Sequence, residues 1–374
     1  MARRTVAIVS DAAGYGGSQV YLTQLVSHLR DTWRFVALVS ERAAEETVRR
    51  LTDAGAELLT VADMRRAPRP RVVLRIVHAL REVDPALVHV GLTDQGDGLG
   101  PLLAARLAHR RTVASLHLVI PERARWRERI STRALRLPDL VIGVSESVAD
   151  YARHAGARTA VVLNGIDEPD FVGEPHAALG LAPDKLVVGG IGRIDHQKGW
   201  DVLCRAVTLV RRELPNVVFV VIGEGPELKE FRRMQACADV RFVGYRERAS
   251  SLIRAFDVLV VPSRYEAFGR VAAEAMFAGV PVIASNVDGL PEVVGECGVL
   301  IPPERPDLLA SAIAEFLIDP ASRKKHAECA KTRAISAFSA KRMADETQQA
   351  YLALESSEPS GRKTRRRKAP VTPK

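Results

Sequence analysis

Short apolar runs alternate along the chain with longer stretches whose apolar positions recur at helical spacing, the signature of βαβ units and parallel sheets. Thr5–Ser10 predicts a first strand, which runs into Asp11-Ala12-Ala13-Gly14-Tyr15-Gly16-Gly17 and then a helix from Ser18 to Arg30. Further strands are predicted at Phe35–Ser40, Ala56–Thr60, Leu87–Val90, Thr112–Leu116, Leu140–Val144 and Thr159–Leu163. A polar, turn-rich break follows, Asn164–Asp170 and then Gly173-Glu174-Pro175. The pattern then restarts with strands at Leu186–Gly192, Val217–Gly223, Val240–Val243, Val258–Val261, Val282–Ser285 and Val299–Ile301. Two doubly wound α/β domains joined at that break leave a cleft between the carboxyl edges of their sheets, where such sheets bind ligands. A last helix is predicted from Ser339 to Leu354.

A length of 374 residues, 47% hydrophobic and 26% charged, fits two globular domains. No run approaches the roughly 18 apolar residues of a membrane span. The start, Met1-Ala2-Arg3-Arg4 and a short strand, lacks the form of a signal peptide. Cys204, Cys237, Cys297 and Cys329 are scattered without a C-x-x-C pair, so buried thiols in a reducing cytoplasm are expected. The net charge is +9, but the last fourteen residues hold seven cations and no acid. The rest of the chain is therefore nearly neutral, and the tail is expected to be disordered and solvated, or to touch an anionic membrane surface, rather than to read nucleic acid. A second basic segment interleaves Arg123, Arg125, Arg127, Arg129, Arg133 and Arg136 with Trp126, Ile130 and Leu137. It reads as an amphipathic helix on its own domain or as a membrane-facing surface.

The densest candidate chemistry lies in Ser263–Met276. Glu266 falls in the loop at the carboxyl end of the strand Val258–Val261, and Glu274 on the following helix. That helix would present the amides of Phe268 and Gly269, an anion site, between two carboxylates suited to sugar hydroxyls. In Gly190–Gly199 a strand delivers Arg193 and Lys198 into one loop, so that two cations can converge on one phosphate group. Gly14-x-Gly16-Gly17 follows a strand and precedes a helix, yet Gln19 stands where a dinucleotide fingerprint needs its third glycine. Gly223-Glu224-Gly225-Pro226 and Phe242-Val243-Gly244-Tyr245 each close a strand at the ligand edge of the second domain. His117 ends a strand of the first domain and faces the cleft, and no histidine spacing suggests a metal site.

These segments resemble the retaining GT-B glycosyltransferases of family four (glycosyl transferases group 1) over nearly all of residues 5–355. Glu266 and Glu274 match the E-x7-E motif, and Glu274–Ala284 continues that family's pattern. Arg193 and Lys198 match its G-R-(x)n-K-G motif, Gly16 and Gly17 its G-G-(A/S)-(E/Q) loop, and Gly225 its G-x-G-P loop. Val243 falls where the backbone reads the base; Asp288 replaces a frequent glycine in a G-x-P-E segment. The resemblance implies two Rossmann-like domains, 1–168 with the returning helix 338–356, and 169–337, with 357–374 as a basic tail. It implies catalytic roles for Glu266, His117, Arg193 and Lys198. Donor contacts are implied for Gly16, Gly17, Arg193, Lys198, Gly225, Val243, Phe268, Gly269 and Glu274. It further implies a nucleotide-sugar donor, UDP-linked before GDP-linked, and a hydroxyl acceptor such as a polysaccharide, glycolipid or secondary metabolite. No metal or cofactor is expected. The location implied is cytoplasmic, with possible contact to the inner membrane face. A nucleotide-sugar epimerase or phosphorylase of the same architecture is the alternative. A nicotinamide oxidoreductase, with Glu41 as its ribose acid, is disfavoured by Gln19 and by the Arg193/Lys198 pair.

Overall fold

The computed structural model describes residues 3–11, 14, 16–61, 63–64, 69–121 and 124–357. The strands of the first half are β1 (Arg4–Ser10), β2 (Trp33–Ser40), β3 (Glu57–Val61), β4 (Leu87–Leu92), β5 (Arg111–Leu116), β6 (Leu140–Gly143) and β7 (Thr159–Val161). Those of the second half are β8 (Val187–Ile191), β9 (Val218–Ile222), β10 (Val240–Phe242), β11 (Val258–Val261), β12 (Val282–Ser285) and β13 (Val299–Ile301). Each predicted strand has its counterpart, with ends shifted by a residue or two. The sheet orders are β3-β2-β1-β4-β5-β6-β7 and β10-β9-β8-β11-β12-β13, with every pairing parallel.

The strands are apolar throughout because helices cover both faces of each sheet. In β1, Val6 and Ile8 pack with the helix Gly17–Leu29, while Ala7 and Val9 join the cluster beneath the helices Pro70–Val83 and Leu99–Leu107. Strand order reverses between β1 and β4 and again between β8 and β11. At these switch points the loops at the carboxyl ends splay apart and open a crevice. Gly16, Gly17 and the segment Arg193–Gly199 emerge there.

The terminal helix Ala340–Ser356 follows the second half in sequence but packs against the helix Gly17–Leu29 of the first. Ser339 caps it, its Oγ accepting from Arg342 N at 3.2 Å. Ser339 also bridges to Ile166, and a Cβ on Gly165 would lie 2.5 Å from Ala340 Cα. The polar break between the halves and the returning chain are thus packed together. Tyr351 is fully buried with its ring edge-on to Trp33.

The cysteines correct the sequence expectation of separate thiols. Cys204 is bonded to Cys237 and Cys297 to Cys329, with Cα–Cα distances of 4.7 and 5.2 Å. Partners 33 and 32 residues apart look unrelated in sequence, and only the packing of helices over the second sheet makes them neighbours. Among the described residues no helix is long and apolar enough to cross a membrane. The basic tail beyond 357 and Arg123 lie outside the described residues.

Candidate active site

The second-domain wall of the cleft is built by backbones in direct contact. A Cβ on Gly223 would lie 1.9 Å from Gly192 O, and one on Gly225 would lie 2.2 Å from Ile194 O. Ile194 N in turn donates to Glu224 O at 2.9 Å. Gly225 is therefore required by loop-to-loop packing, whatever it touches in a complex. Gly199, at φ +65°, sits against Pro262 at the end of β11, which brings the Lys198 loop beside the Glu266 loop.

There Lys198 Nζ pairs with Glu266 Oε2, both side chains mostly buried at 20% and 14% exposure. The Glu266 backbone is anchored on both sides: its N–H donates to Asp288 Oδ2 at 2.8 Å, and its carbonyl accepts from Gly289 N at 3.1 Å. Asp288 adopts φ +44°, the left-handed backbone that a glycine takes most readily. Its carboxylate holds the Glu266 loop, a role the sequence did not reveal. Gln197 was missed too; buried, it donates from Nε2 to Tyr265 O at 3.1 Å. The helix Arg270–Ala278 starts directly after Gly269, which is at φ +90°. Phe268 buries its ring edge-on against Phe338, leaving only its backbone for the cleft.

Across the cleft, His117 N donates to Leu92 O at 3.0 Å, fixing the residue at the end of β5. Its ring meets Tyr21 edge-on at 4.7 Å, and its Nδ1 is buried without a hydrogen-bond partner among the described residues. Burial, with lesser repulsion from Arg270 and from any proton taken up by His89, pulls the His117 pKa down to about 3, so the ring is neutral. Gly17, His117, Glu266, Phe268 and Gly269 share one recess of about 150 Å³ with Ser18, Thr93, Gln197 and Arg270.

Other predicted residues lie apart from that recess. Arg193 does not line it: its side chain is 69% exposed, pairs with Asp195 Oδ2 at 2.6 Å and donates to Gln197 Oε1 at 3.2 Å. The acid two residues along the same loop captures the guanidinium. Glu274 opens onto a neighbouring cavity of about 400 Å³ with Gln24, Asp167 and Arg248. Its pKa is raised by burial, an effect that Arg270 partly offsets from 3.8 Å. Arg270, missed in the sequence, lines both cavities and donates to Gly165 O at 3.0 Å, spanning the two halves. Val243 directly follows β10, its N–H donating to Val221 O, and does not line the recess. The Gly16 amide is already taken by Gln19 Oε1 at 3.1 Å, which explains the glutamine that breaks the dinucleotide fingerprint. Among the described residues, no group of three or more His, Cys, Asp or Glu could hold a metal ion.

Asp11, at the end of β1, lies beside this wall. Its Oδ2 accepts from Gly98 N at 2.9 Å, and its Oδ1 is buried with no partner among the described residues. Burial first, and then Asp97, push its pKa from 3.8 up to about 7. The native state thus holds this proton more tightly than the unfolded chain does. That contribution is full below about pH 4 and is lost as pH rises through 7. Asp11→Asn is expected to stabilise the protein by about 2–4 kcal/mol at pH 8 and by almost nothing at pH 4. Urea unfolding at both pH values checks this, and an unchanged gap would refute it.

The chain resembles known proteins in sequence and in fold. Residues 15–168 match the family described as Glycosyltransferase Family 4, and residues 185–319 match Glycosyl transferases group 1. A glycogen synthase of Mycobacterium tuberculosis is 33% identical over 210 residues, covering 54% of this chain and 50% of the relative. The chain thus spans about half the length of that relative. A GDP-mannose-dependent alpha-(1-6)-phosphatidylinositol monomannoside mannosyltransferase of Mycolicibacterium smegmatis is 28% identical over 336 residues, 82% of this chain and 86% of the relative. Among solved structures, Anabaena HepE in complex with UDP and glucose superposes with a TM-score of 0.82 at 24% identity, covering 94% of this chain and all of HepE. The chain therefore carries the GT-B architecture of glycosyltransferases, its first half matching Glycosyltransferase Family 4 and its second half Glycosyl transferases group 1.

Proposed function

We propose that the protein is a retaining glycosyltransferase that moves a sugar from a nucleotide diphosphate donor to a hydroxyl acceptor. The observation that carries the reading is the buried Lys198–Glu266 pair at the head of a helix, facing His117 across a recess between two domains. Donor binding exchanges partners: Lys198 turns to the diphosphate, and the freed Glu266 carboxylate accepts from sugar hydroxyls. Amides at Phe268 and Gly269 and the glycines Gly16 and Gly17 approach the phosphates, and Arg193 leaves Asp195 to join them. Glu274 accepts from the ribose hydroxyls, while Gly225 and Val243 border the nucleotide. As the glycosidic bond lengthens, negative charge grows on the leaving diphosphate, where preorganised cations act most strongly. The acceptor attacks from the same face, and a donor phosphate oxygen takes its proton. The cations and helix amides balance the diphosphate, so the reaction is proposed to run without a metal.

UDP-sugars are the favoured donors and GDP-sugars the next; the bound UDP of HepE and the GDP-mannose dependence of the mycobacterial relative support these two. Thermal shift against UDP, GDP, ADP, TDP, CDP and NAD, without metal, is expected to select one nucleoside diphosphate. Stabilisation by NAD alone would overturn the reading, and donor cleavage without transfer would favour an epimerase or phosphorylase. Glu274→Ala is expected to weaken the selected nucleotide about 10–150-fold, since hydrogen bonds to a charged group contribute about 1.5–3 kcal/mol. Unchanged affinity would remove Glu274 from the donor site.

A membrane surface is the proposed partner of the helix Arg125–Ala134, at the cytoplasmic face. Trp126 and Ile130, one turn apart, are 60% and 46% exposed beside Arg125, Arg129 and Arg133. Binding to anionic vesicles that is lost in Trp126→Ser/Ile130→Ser supports this.

A further inference from the structure

Behind His117 a chain of buried polar groups runs away from the cleft. His117 Nε2 lies 3.0 Å from Ser115 Oγ, and the same oxygen lies 2.9 Å from His89 Nε2. His89 Nδ1 meets the hydroxyl of Tyr351 on the terminal helix. His89, Ser115 and Tyr351 are fully buried. One turn earlier on that helix, Thr347 Oγ1 donates to Met343 O at 2.8 Å and so accepts from Tyr21 OH at 3.1 Å. Tyr21 is the residue whose ring stands against His117.

The protons in this chain can be counted. Burial pulls His89 down to about 3 and holds Tyr351 well above the ordinary phenol range, so each carries its neutral proton complement. Tyr351 has one hydroxyl proton and, among the described residues, one partner. Donating it to His89 Nδ1 keeps that proton paired in the sealed core and leaves the unpaired proton of the chain at His117, which lines the recess; the reverse direction would strand it on Tyr351. His89 then carries its proton on Nε2 and donates to Ser115 Oγ. Ser115, already accepting there, turns its own proton to His117 Nε2. The remaining His117 proton then sits on Nδ1, the buried atom that lacks a partner among the described residues.

We propose that Tyr351, His89 and Ser115 are positioning residues that fix His117 as its Nδ1–H tautomer, presenting an N–H donor to an oxygen of the bound sugar. The unpaired buried N–H gains its partner only when substrate arrives, so the site favours an oxygen at that point. His117 in this form donates a hydrogen bond and does not act as a base. The returning terminal helix thereby becomes part of the catalytic machinery of the first domain. The role in catalysis rests on the glycosyl-transfer reading; the tautomer does not.

The test is long-range 1H–15N correlation of the unliganded full chain labelled at histidine, with His117 assigned by its loss in His117→Asn. A protonated Nδ1 and an unprotonated Nε2 are expected; a proton on Nε2 would overturn the proposal. Ser115→Ala, and as a second variant Tyr351→Phe, are expected to convert that signal to a tautomer mixture. With the donor selected by thermal shift, Ser115→Ala should lower kcat about tenfold with KM within twofold, and Ser115→Thr should restore it. Unchanged tautomer and kcat in both variants would also overturn the proposal. Absence of any donor turnover in the parent would instead defeat the glycosyl-transfer reading and leave the tautomer result standing.

Discussion

Lys198→Ala is expected to lower kcat about 10²–10³-fold while donor affinity changes far less, the range seen when one preorganised stabiliser of developing charge is lost. The reason lies in the resting pair. Lys198 is already neutralised by Glu266 in a mostly buried setting. On binding a donor it exchanges one oxyanion for another, so little is gained in the ground state. The gain comes later, when the departing diphosphate acquires charge that Glu266 never carried, and only that difference accelerates the reaction. The variant also leaves Glu266 without its cation, which costs stability. A donor titration and a melting curve on the same variant separate the two effects. Lost affinity at unchanged kcat would assign Lys198 to ground-state binding instead.

The largest loss of stability is expected from Gly199→Ala. The added Cβ would sit 2.0 Å from Pro262 O, a backbone atom that cannot rotate away, at a φ of +65°. The left-handed backbone costs an alanine about 1–2 kcal/mol, and overpacking adds about 1–3 kcal/mol. A total near 2–5 kcal/mol should appear in urea as an earlier transition of the second domain. The same shift would push Lys198 away from Glu266, so activity should fall along with stability. Gly173→Ala, whose Cβ meets nothing within 4 Å, is the control and should leave both unchanged. A stable, active Gly199→Ala would mean that the two loops are not held in contact.

Much of the framework is legible in the chain. A doubly covered parallel strand must be apolar along its whole length, so β1 to β13 announce themselves as short runs between polar turns. The candidate residues on strand-to-helix loops are legible for a related reason. A loop at a carboxyl edge has few ways to fold, and glycines mark where its backbone passes close to another. Even so, the glycines mislead about purpose: Gly225 and Gly199 are required by neighbouring backbone whether or not a phosphate lies nearby. Gln19 read as a defect in a fingerprint, yet its side chain serves the Gly16 amide.

Local sequence thus determined the strands, the order of the two halves and the loops that could carry chemistry, because those depend on hydrophobic period and turn residues a few positions apart. Only the tertiary structure decided the long-range partners. It paired Cys204 with Cys237, drew Arg193 onto Asp195, placed Arg270 across the cleft and set Tyr351 behind His89, 262 residues away in sequence. Such contacts leave no periodic trace, since each is a meeting of two side chains whose positions are set by sheet order and helix return. The proton proposed for His117 Nδ1 depends on the last of them, the contact of Tyr351 with His89.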